Sequence, residues 1–140
     1  MPVVDTWTAP VPRVAEDLLA QARRSLAQAA LSDEPPQRYA AAHLAALRAA
    51  AAVLAVRTHP ATSSRGRPRN AWTLLARVAP EMGEWAAFWA AGATKRAAAE
   101  AGLARVVTTR EADDLVREAE IFLALVESML GLAHQPALAG

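Results

Sequence analysis

The sequence predicts an all-α protein, an up-and-down bundle of four or five helices. Alanine fills 37 of the 140 positions, whereas aromatic residues make up only 5%. Few stretches show the alternation of Val, Ile or Thr that strands require, and apolar residues recur instead at intervals of three and four. A chain of this length can form one domain with a stable core and no disulfides. We expect residues 1–140 to be that domain, with loose tails at 1–11 and 135–140.

The first two helices are predicted over about residues 12–30 and 36–58. Pro12 suits the first turn of a helix, the two prolines at 35 and 36 suit the entry of the next, and Asp33 is a candidate cap. The second helix is rich in alanine, which permits close approach between helices, and it places Tyr39 and His43 on its apolar face. The apolar arc of the first helix comprises Val14, Ala15, Leu18, Leu19, Ala22, Leu26 and Ala29.

The next apolar seam begins after Asn70, a candidate helix cap. It continues across Pro80, where the helix must kink or restart, and it fades near Gly102. Trp72 and Trp89 are in register with this seam and are predicted to be core residues. Trp85 lies on its edge with Phe88 beyond it, so these two rings form a candidate contact surface.

The last helix is predicted to start at the capping-box pattern of residues 108–111 and to end near His134. Its second half is apolar over an arc wider than one neighbouring helix needs. Either the first helix covers the extra flank, or the same helix of a second subunit does. A homodimer is therefore one expectation from the sequence. The candidate interface residues are Ile121, Leu125, Leu132, Trp85 and Phe88.

The net charge of +1 conceals an uneven distribution. No acidic residue occurs between Glu34 and Glu81, and every charged residue in that interval is an arginine. Such a chain can pair with itself, within one molecule or between two, or present its basic half to phosphates. The stretch SSRGRPRNAW resembles a DNA minor-groove hook, although a solvated connector between two helices is the favoured interpretation. The candidate nucleic-acid contacts are Arg57, Arg65, Arg67 and Arg69.

Several kinds of site are excluded or not supported. The absence of cysteine excludes disulfides, thiolate nucleophiles and sulfur-ligated metals. The three histidines lack metal-ligand spacing, and neither a nucleophile elbow nor a phosphate-cradling glycine loop occurs, so no metal or cofactor is predicted. No uncharged stretch is expected to reach the length of a membrane span, and the N-terminus lacks a signal pattern. A cytoplasmic location without membrane contact follows as an expectation.

Two stretches together, RGRPRNAWTLLARVAPEMGEWAAFWAAGA and VVTTREADDLVREAEIFLALVE, resemble a small actinobacterial family of the HEPN superfamily of helical domains. The alanine-rich RYAAAHLAALRAAAAVLAVR also resembles the helix that opens many HEPN bundles. The resemblance implies a bundle of four or five helices, often a two-fold dimer. It also implies a role around RNA or nucleotides, either as a metal-independent ribonuclease or as a non-catalytic binding and scaffolding module.

The resemblance also defines what a catalytic member needs, namely an arginine followed a few residues later by a histidine, usually late in the domain. The only match is Arg38 with His43, which lies early. Five positions turn about 140° around a regular helix, so His43 faces inward when Arg38 faces outward. A non-catalytic, dimeric binding or interaction module is therefore predicted. The alternatives are an endoribonuclease, with Arg38 stabilising the cleaved phosphate and His43 moving the proton, and a purely structural protein partner.

Overall fold

The computed structural model describes residues 11–58, 70–103 and 105–132, and those ranges contain helices and no strand. The predicted all-α bundle is therefore confirmed. Val11, at the end of one predicted tail, packs against the core, and the rest of both tails lies outside the described residues. The elements are α1 (Arg13–Leu31), α2 (Pro35–Arg57), α3 (Ala71–Val78), a 3₁₀ turn (Pro80–Met82), α4 (Gly83–Ala91), α5 (Ala93–Glu100) and α6 (Thr109–Met129).

The bounds of α1 and α2 lie within one residue of the prediction, but two local details differ. Asp33 does not cap α2, because the helix begins at Pro35 and Glu34 occupies the cap position without a side-chain hydrogen bond. Prolines at the first helical positions lose no hydrogen bond, since those N–H groups have no partner within the helix. Val14 is exposed because it lies at the edge of the apolar arc of α1, whose other members are buried or half-buried.

Helix α2 is the central helix and packs against α1, α3, α5 and α6. Its many alanines occupy buried positions, which lets the neighbouring helices approach closely. By length and composition α2 is apolar enough to cross a membrane, although Arg48 divides it into shorter uncharged stretches. Half of the apolar window is buried inside the bundle, and a core helix passes the same test. The four helices around α2 account for its apolar character.

The apolar seam after Asn70 is divided into three helices. Asn70 caps α3, because its side-chain oxygen accepts a hydrogen bond from the Thr73 N–H at 2.8 Å. Helix α3 stops before Pro80, and after the 3₁₀ turn the chain forms a new helix, α4. The sequence predicted either a kink or a restart at Pro80, and the structure shows the restart. A further break at Gly92 separates α4 from α5 and was not predicted. Trp72 and Trp89 are core residues, as expected.

Helix α6 begins as predicted and ends earlier than predicted. Thr108 accepts a hydrogen bond from the Glu111 N–H, and the Glu111 carboxylate accepts one from the Thr108 N–H, which completes the capping box. The helix ends at Met129 because Gly131 adopts a φ of 75°, a left-handed conformation that terminates helices. The expected end near His134 is therefore wrong.

Ion pairs connect α6 to three other helices. Three of its acidic residues pair with arginines of α1 and α2, and a fourth pairs with a lysine of α5. Part of the uneven charge of this chain is thus neutralised within one molecule. The pairs are Arg23–Glu120, Arg23–Glu127, Arg38–Asp113 and Lys95–Glu111.

Candidate functional site

His43 lies in the aromatic centre of the bundle and is only 1% exposed. Its ring meets the rings of Trp72 and Trp89 edge-on, with centroids 6.0 and 5.4 Å away. Its Nε2 donates a hydrogen bond to the Trp89 carbonyl oxygen at 3.0 Å, so the proton is on Nε2. Burial lowers the pKa of His43, although the bond to Trp89 opposes that shift. The ring is therefore neutral at pH 7, and its buried Nδ1 has no partner.

Arg38 belongs to a different part of the fold. Its Nε and Nη2 donate hydrogen bonds to the Ser32 carbonyl oxygen at 3.1 and 2.7 Å, and its Nη1 pairs with the Asp113 carboxylate. The guanidinium therefore ties the turn between α1 and α2 to the first turns of α6. It does not extend freely into solvent, since its side chain is only 22% exposed.

The structure does not bring Arg38 and His43 together as a reactive pair. A general acid or base must reach the proton that it moves, and a cation that stabilises a phosphate needs donors free to meet it. The proton of His43 is held by Trp89, and the donors of Arg38 are directed at Ser32 and Asp113. The two sets of partners have no residue in common.

A groove runs between the α4–α5 segment and the first half of α6. It encloses about 340 Å³ and is lined by residues that include Tyr39, Phe88, Lys95, Leu115 and Arg117. An adjoining cavity of about 290 Å³ shares the first four of these and adds His43 and Gly92. The groove therefore leads from charged side chains at the surface to the buried imidazole.

The charges in the groove are mostly paired with one another. Lys95 contacts Glu111 at 2.6 Å, and this hydrogen bond raises the pKa of Lys95 and lowers that of Glu111. Arg117 pairs with Asp114, which lies one turn earlier on α6. A surface with both signs interspersed does not single out phosphates, and it is compatible with a protein partner.

Gly92 allows the inner part of the groove to exist. A Cβ at this position would lie 3.0 Å from the Tyr39 hydroxyl oxygen and 3.8 Å from Cδ2 of His43. The sequence contained a signal here, because a glycine interrupts an alanine-rich apolar seam, but no hypothesis was attached to it. Nor did the sequence pattern single out Lys95 and Arg96, the two adjacent cations that follow Gly92 by three and four residues.

The predicted interface residues divide into an exposed and a covered group. Phe88, Ile121 and Leu125 are 43%, 55% and 38% exposed, and we call these three residues the apolar patch. Trp85 is half-buried against Phe122, with ring centroids 5.2 Å apart, which places α4 beside α6. Leu132 packs partly buried against the core.

Helix α1 covers the opposite flank of α6, where Arg23 reaches Glu120 and Glu127. Leu123, on that side, is fully buried. Of the two predicted ways to cover the wide apolar arc of α6, coverage by α1 therefore explains one flank only. The apolar patch remains exposed in a single chain.

The predicted nucleic-acid contacts are mostly outside the described residues. Arg57 lies at the end of α2 and pairs with Glu81 at 2.7 Å. Arg65, Arg67 and Arg69 fall in the range 59–69, which the structure does not describe, so their proposed role stays a prediction. Within the described ranges, no group of three or more His, Asp or Glu residues could hold a metal ion.

A family model described as SAV_6107-like HEPN matches residues 29–127. No curated protein and no solved structure matches the chain. The matched range runs from the end of α1 to near the end of α6, so it includes His43, the groove and the apolar patch.

Proposed function

Because the chain belongs to the SAV_6107-like HEPN family, we propose that it is a non-catalytic helical module that binds a partner in an RNA- or nucleotide-related setting. Membership in the family indicates a nucleotide-related or ribonuclease-like function. The observation that carries the non-catalytic choice is the separation of Arg38 from His43, each with its own partners.

The energetics of those partners support the proposal. A ribonuclease would have to release His43 from the Trp89 carbonyl and Arg38 from Asp113 before either could act on RNA. Leaving the buried His43 unpaired costs about 1–3 kcal/mol. The Arg38–Asp113 pair, whose carboxylate is 45% exposed, adds about 1 kcal/mol or less because solvent screens it. Assembling the pair therefore has a cost before any chemistry.

We further propose that the module is a homodimer formed through the apolar patch. Phe88, Ile121 and Leu125 expose large side chains, and exposed apolar surface of this kind favours association. Phe88 is on α4, and Ile121 and Leu125 are on α6, so a two-fold axis beside these helices would place the same residues of a second copy against them. HEPN domains commonly dimerise, which is consistent with this proposal.

An RNA-cleavage assay in EDTA tests the absence of catalysis. Wild type, His43→Ala and Arg38→Ala are compared, with Arg24→Ala as a matched control, since Arg24 is an exposed arginine of α1. We expect no cleavage above the protein-free background. Cleavage by wild type and Arg24→Ala that is lost in both His43→Ala and Arg38→Ala would refute the proposal, and circular dichroism shows whether each variant is folded.

A binding assay tests the RNA-related setting. We expect single-stranded RNA to bind the wild type in a salt-sensitive manner, because arginine–phosphate contacts release counterions. Replacement of Arg65, Arg67 and Arg69 by alanine should weaken binding at low salt. Failure of the wild type to bind RNA in low salt would instead favour a purely structural protein partner.

A further inference from the structure

A pocket of about 320 Å³ lies between α4 and α6, at one end of the groove described above. Two aromatic and two acidic residues line it, namely Glu84, Trp85 and Phe88 of α4 and Glu118 of α6. We call it the Phe88 pocket. Phe88 and Glu118 also line the groove, so the pocket adjoins the groove.

The two aromatic rings form a corner of the pocket. The planes of Trp85 and Phe88 meet at 88°, with ring centroids 6.0 Å apart. Trp85 is half-buried and held against Phe122, whose ring centroid is 5.2 Å from its own. Phe88 is 43% exposed, so a group that enters the pocket can lie against its ring. Aromatic rings attract cations, which makes this corner suitable for a positively charged group.

The two carboxylates of the pocket lack a counter-charge among the described residues. The other acidic residues of the groove, Glu111 and Asp114, each pair with a cation. Glu84 and Glu118 take part in no ion pair within the described ranges. Glu84 is exposed and Glu118 is half-buried, so solvent reaches both side chains. Because no other side chain holds them, both carboxylates can turn toward a cation in the pocket.

A guanidinium group suits this lining better than an ammonium group. It is planar, it stacks on aromatic rings, and its five N–H donors can meet carboxylates on two sides. An ammonium group is a compact, strongly hydrated charge and gains less from an aromatic wall. The two carboxylates repel phosphates, so we do not expect RNA in this pocket.

The surroundings of the pocket suit a segment of protein chain. The groove extends the binding surface from Phe88 and Glu118 to Leu115 and Tyr39. Ile121 is 55% exposed and follows Glu118 by three residues, which places both on one face of α6. Residues on either side of a bound arginine would therefore find apolar surface to contact.

We propose that the Phe88 pocket binds an arginine side chain of a partner protein, presented by a segment that lies along the groove. The guanidinium packs on Phe88 and pairs with Glu84 and Glu118. The proposal rests on the role of the chain as a binding module and specifies the chemistry of its partner. The RNA-cleavage assay tests that role separately, so the two proposals can fail independently.

NMR titration of the full chain with acetyl-Leu-Ala-Arg-Ala-Leu amide tests the proposal. We expect a Kd of about 1 mM or below, which corresponds to a weak but specific contact of one side chain and its neighbours. The same peptide with citrulline in place of arginine keeps the shape without the charge, and it should bind at least about fivefold more weakly. The lysine peptide should also bind more weakly than the arginine peptide.

A shorter probe distinguishes a protein segment from a free guanidinium compound. Acetyl-arginine amide lacks the flanking residues, so it should bind at least about fivefold more weakly than the peptide. Equal affinities of the two probes would show that the groove and Ile121 do not contribute, and this result would overturn the proposal of a segment.

Two substitutions and a matched control locate the binding. Glu84→Gln and Glu118→Gln each remove a charge and keep the shape of the side chain. Each should weaken binding of the arginine peptide about fivefold, and the double variant should weaken it more than about tenfold. Glu16→Gln changes an exposed acid of α1 and should have no effect.

Phe88 also belongs to the apolar patch, so a second copy of the chain would compete with the peptide. The titration is therefore repeated with Leu125→Gln, which removes an apolar contact of the patch without adding a charge. We expect this variant to bind the peptide at least as tightly as the wild type does.

Three results would overturn the proposal of an arginine site. The first is no binding of the arginine peptide to either the wild type or Leu125→Gln at about tenfold above the expected Kd. The second is equal binding of the citrulline peptide, and the third is unchanged binding by the folded double variant. If that variant does not fold, shift mapping on the wild type replaces it, and shifts confined to Leu47 and Asn70, which line a different cavity, would refute the site.

Discussion

Arg23 of α1 and Glu127 of α6 form a two-point ion pair across the bundle, although 104 residues separate them in the chain. Nε of Arg23 donates to one carboxylate oxygen at 3.0 Å and Nη2 donates to the other at 2.5 Å. Glu127 is only 8% exposed, so its charge depends on this partner. Two parallel charge-assisted bonds are a strong and specific contact.

Replacing Glu127 by alanine should lower the free energy of unfolding by about 2–3 kcal/mol, because both bonds to the nearly buried carboxylate are lost and Arg23 keeps only its more exposed contact with Glu120. Urea denaturation measures this loss. Glu120→Ala is the control, since Glu120 also pairs with Arg23 but its side chain is 60% exposed. We expect that variant to lose less than about 0.5 kcal/mol, and equal losses would show that the buried geometry contributes nothing.

The buried imidazole makes stability depend on pH. Burial lowers the pKa of His43 in the folded state below the value of about 6.5 in the unfolded chain. The unfolded state then binds more protons between those two pKa values. Stability is complete above about pH 6.5, and it is lost as the pH falls toward the folded pKa, by at most about 1.4 kcal/mol per pH unit.

Urea midpoints of wild type and His43→Gln between pH 7.5 and 5 measure this dependence. The variant removes the titrating group, so its midpoint should vary less with pH even if it is less stable throughout. Equal slopes in the two proteins would show that His43 does not contribute to the dependence.

The close approach of Gly92 to the Tyr39 hydroxyl predicts that the effects on stability of substitutions at these two residues are coupled. In Gly92→Ala, the new Cβ would meet the Tyr39 hydroxyl oxygen at 3.0 Å, so we expect a loss of about 1 kcal/mol. In a Tyr39→Phe background the hydroxyl is absent, so the same change should cost clearly less than it does beside Tyr39.

Thermal unfolding of the two single variants and the double variant measures this coupling. Gly83→Ala is the matched control, because a Cβ at Gly83 would have no atom within 4 Å. It should stabilise the protein by about 0.5–1 kcal/mol. A loss from Gly92→Ala that is the same with and without the Tyr39 hydroxyl would contradict the close contact.

The apolar patch predicts the oligomeric state. Light scattering of the wild type should give the mass of a dimer, and Ile121→Glu or Leu125→Glu should give a monomer of unchanged helicity, because a buried charge opposes association. Leu103→Glu is the control, since Leu103 is 57% exposed outside the patch. A wild type that remains monomeric at the highest concentration that light scattering can measure would rule out the dimer.

Local signals in the sequence were sufficient for most helix boundaries. The capping oxygen of Asn70, the capping box at Thr108 and the restart at Pro80 depend on atoms a few residues away, so the sequence contains both partners. The burial of His43 also follows from its place in an apolar stripe. The early end of α6 at Met129 was missed, because nothing in the local pattern requires Gly131 to adopt a left-handed conformation.

What the sequence by itself determined is the helical class, the order of the helices and the face that each one buries. Only the tertiary structure decided that Arg38 pairs with Asp113, that Gly92 admits the Tyr39 hydroxyl, and that α1 leaves the apolar patch uncovered. The physical reason is that helix periodicity depends on neighbours within one or two turns. The partner of a side chain depends instead on how helices that are distant in the chain cross in space.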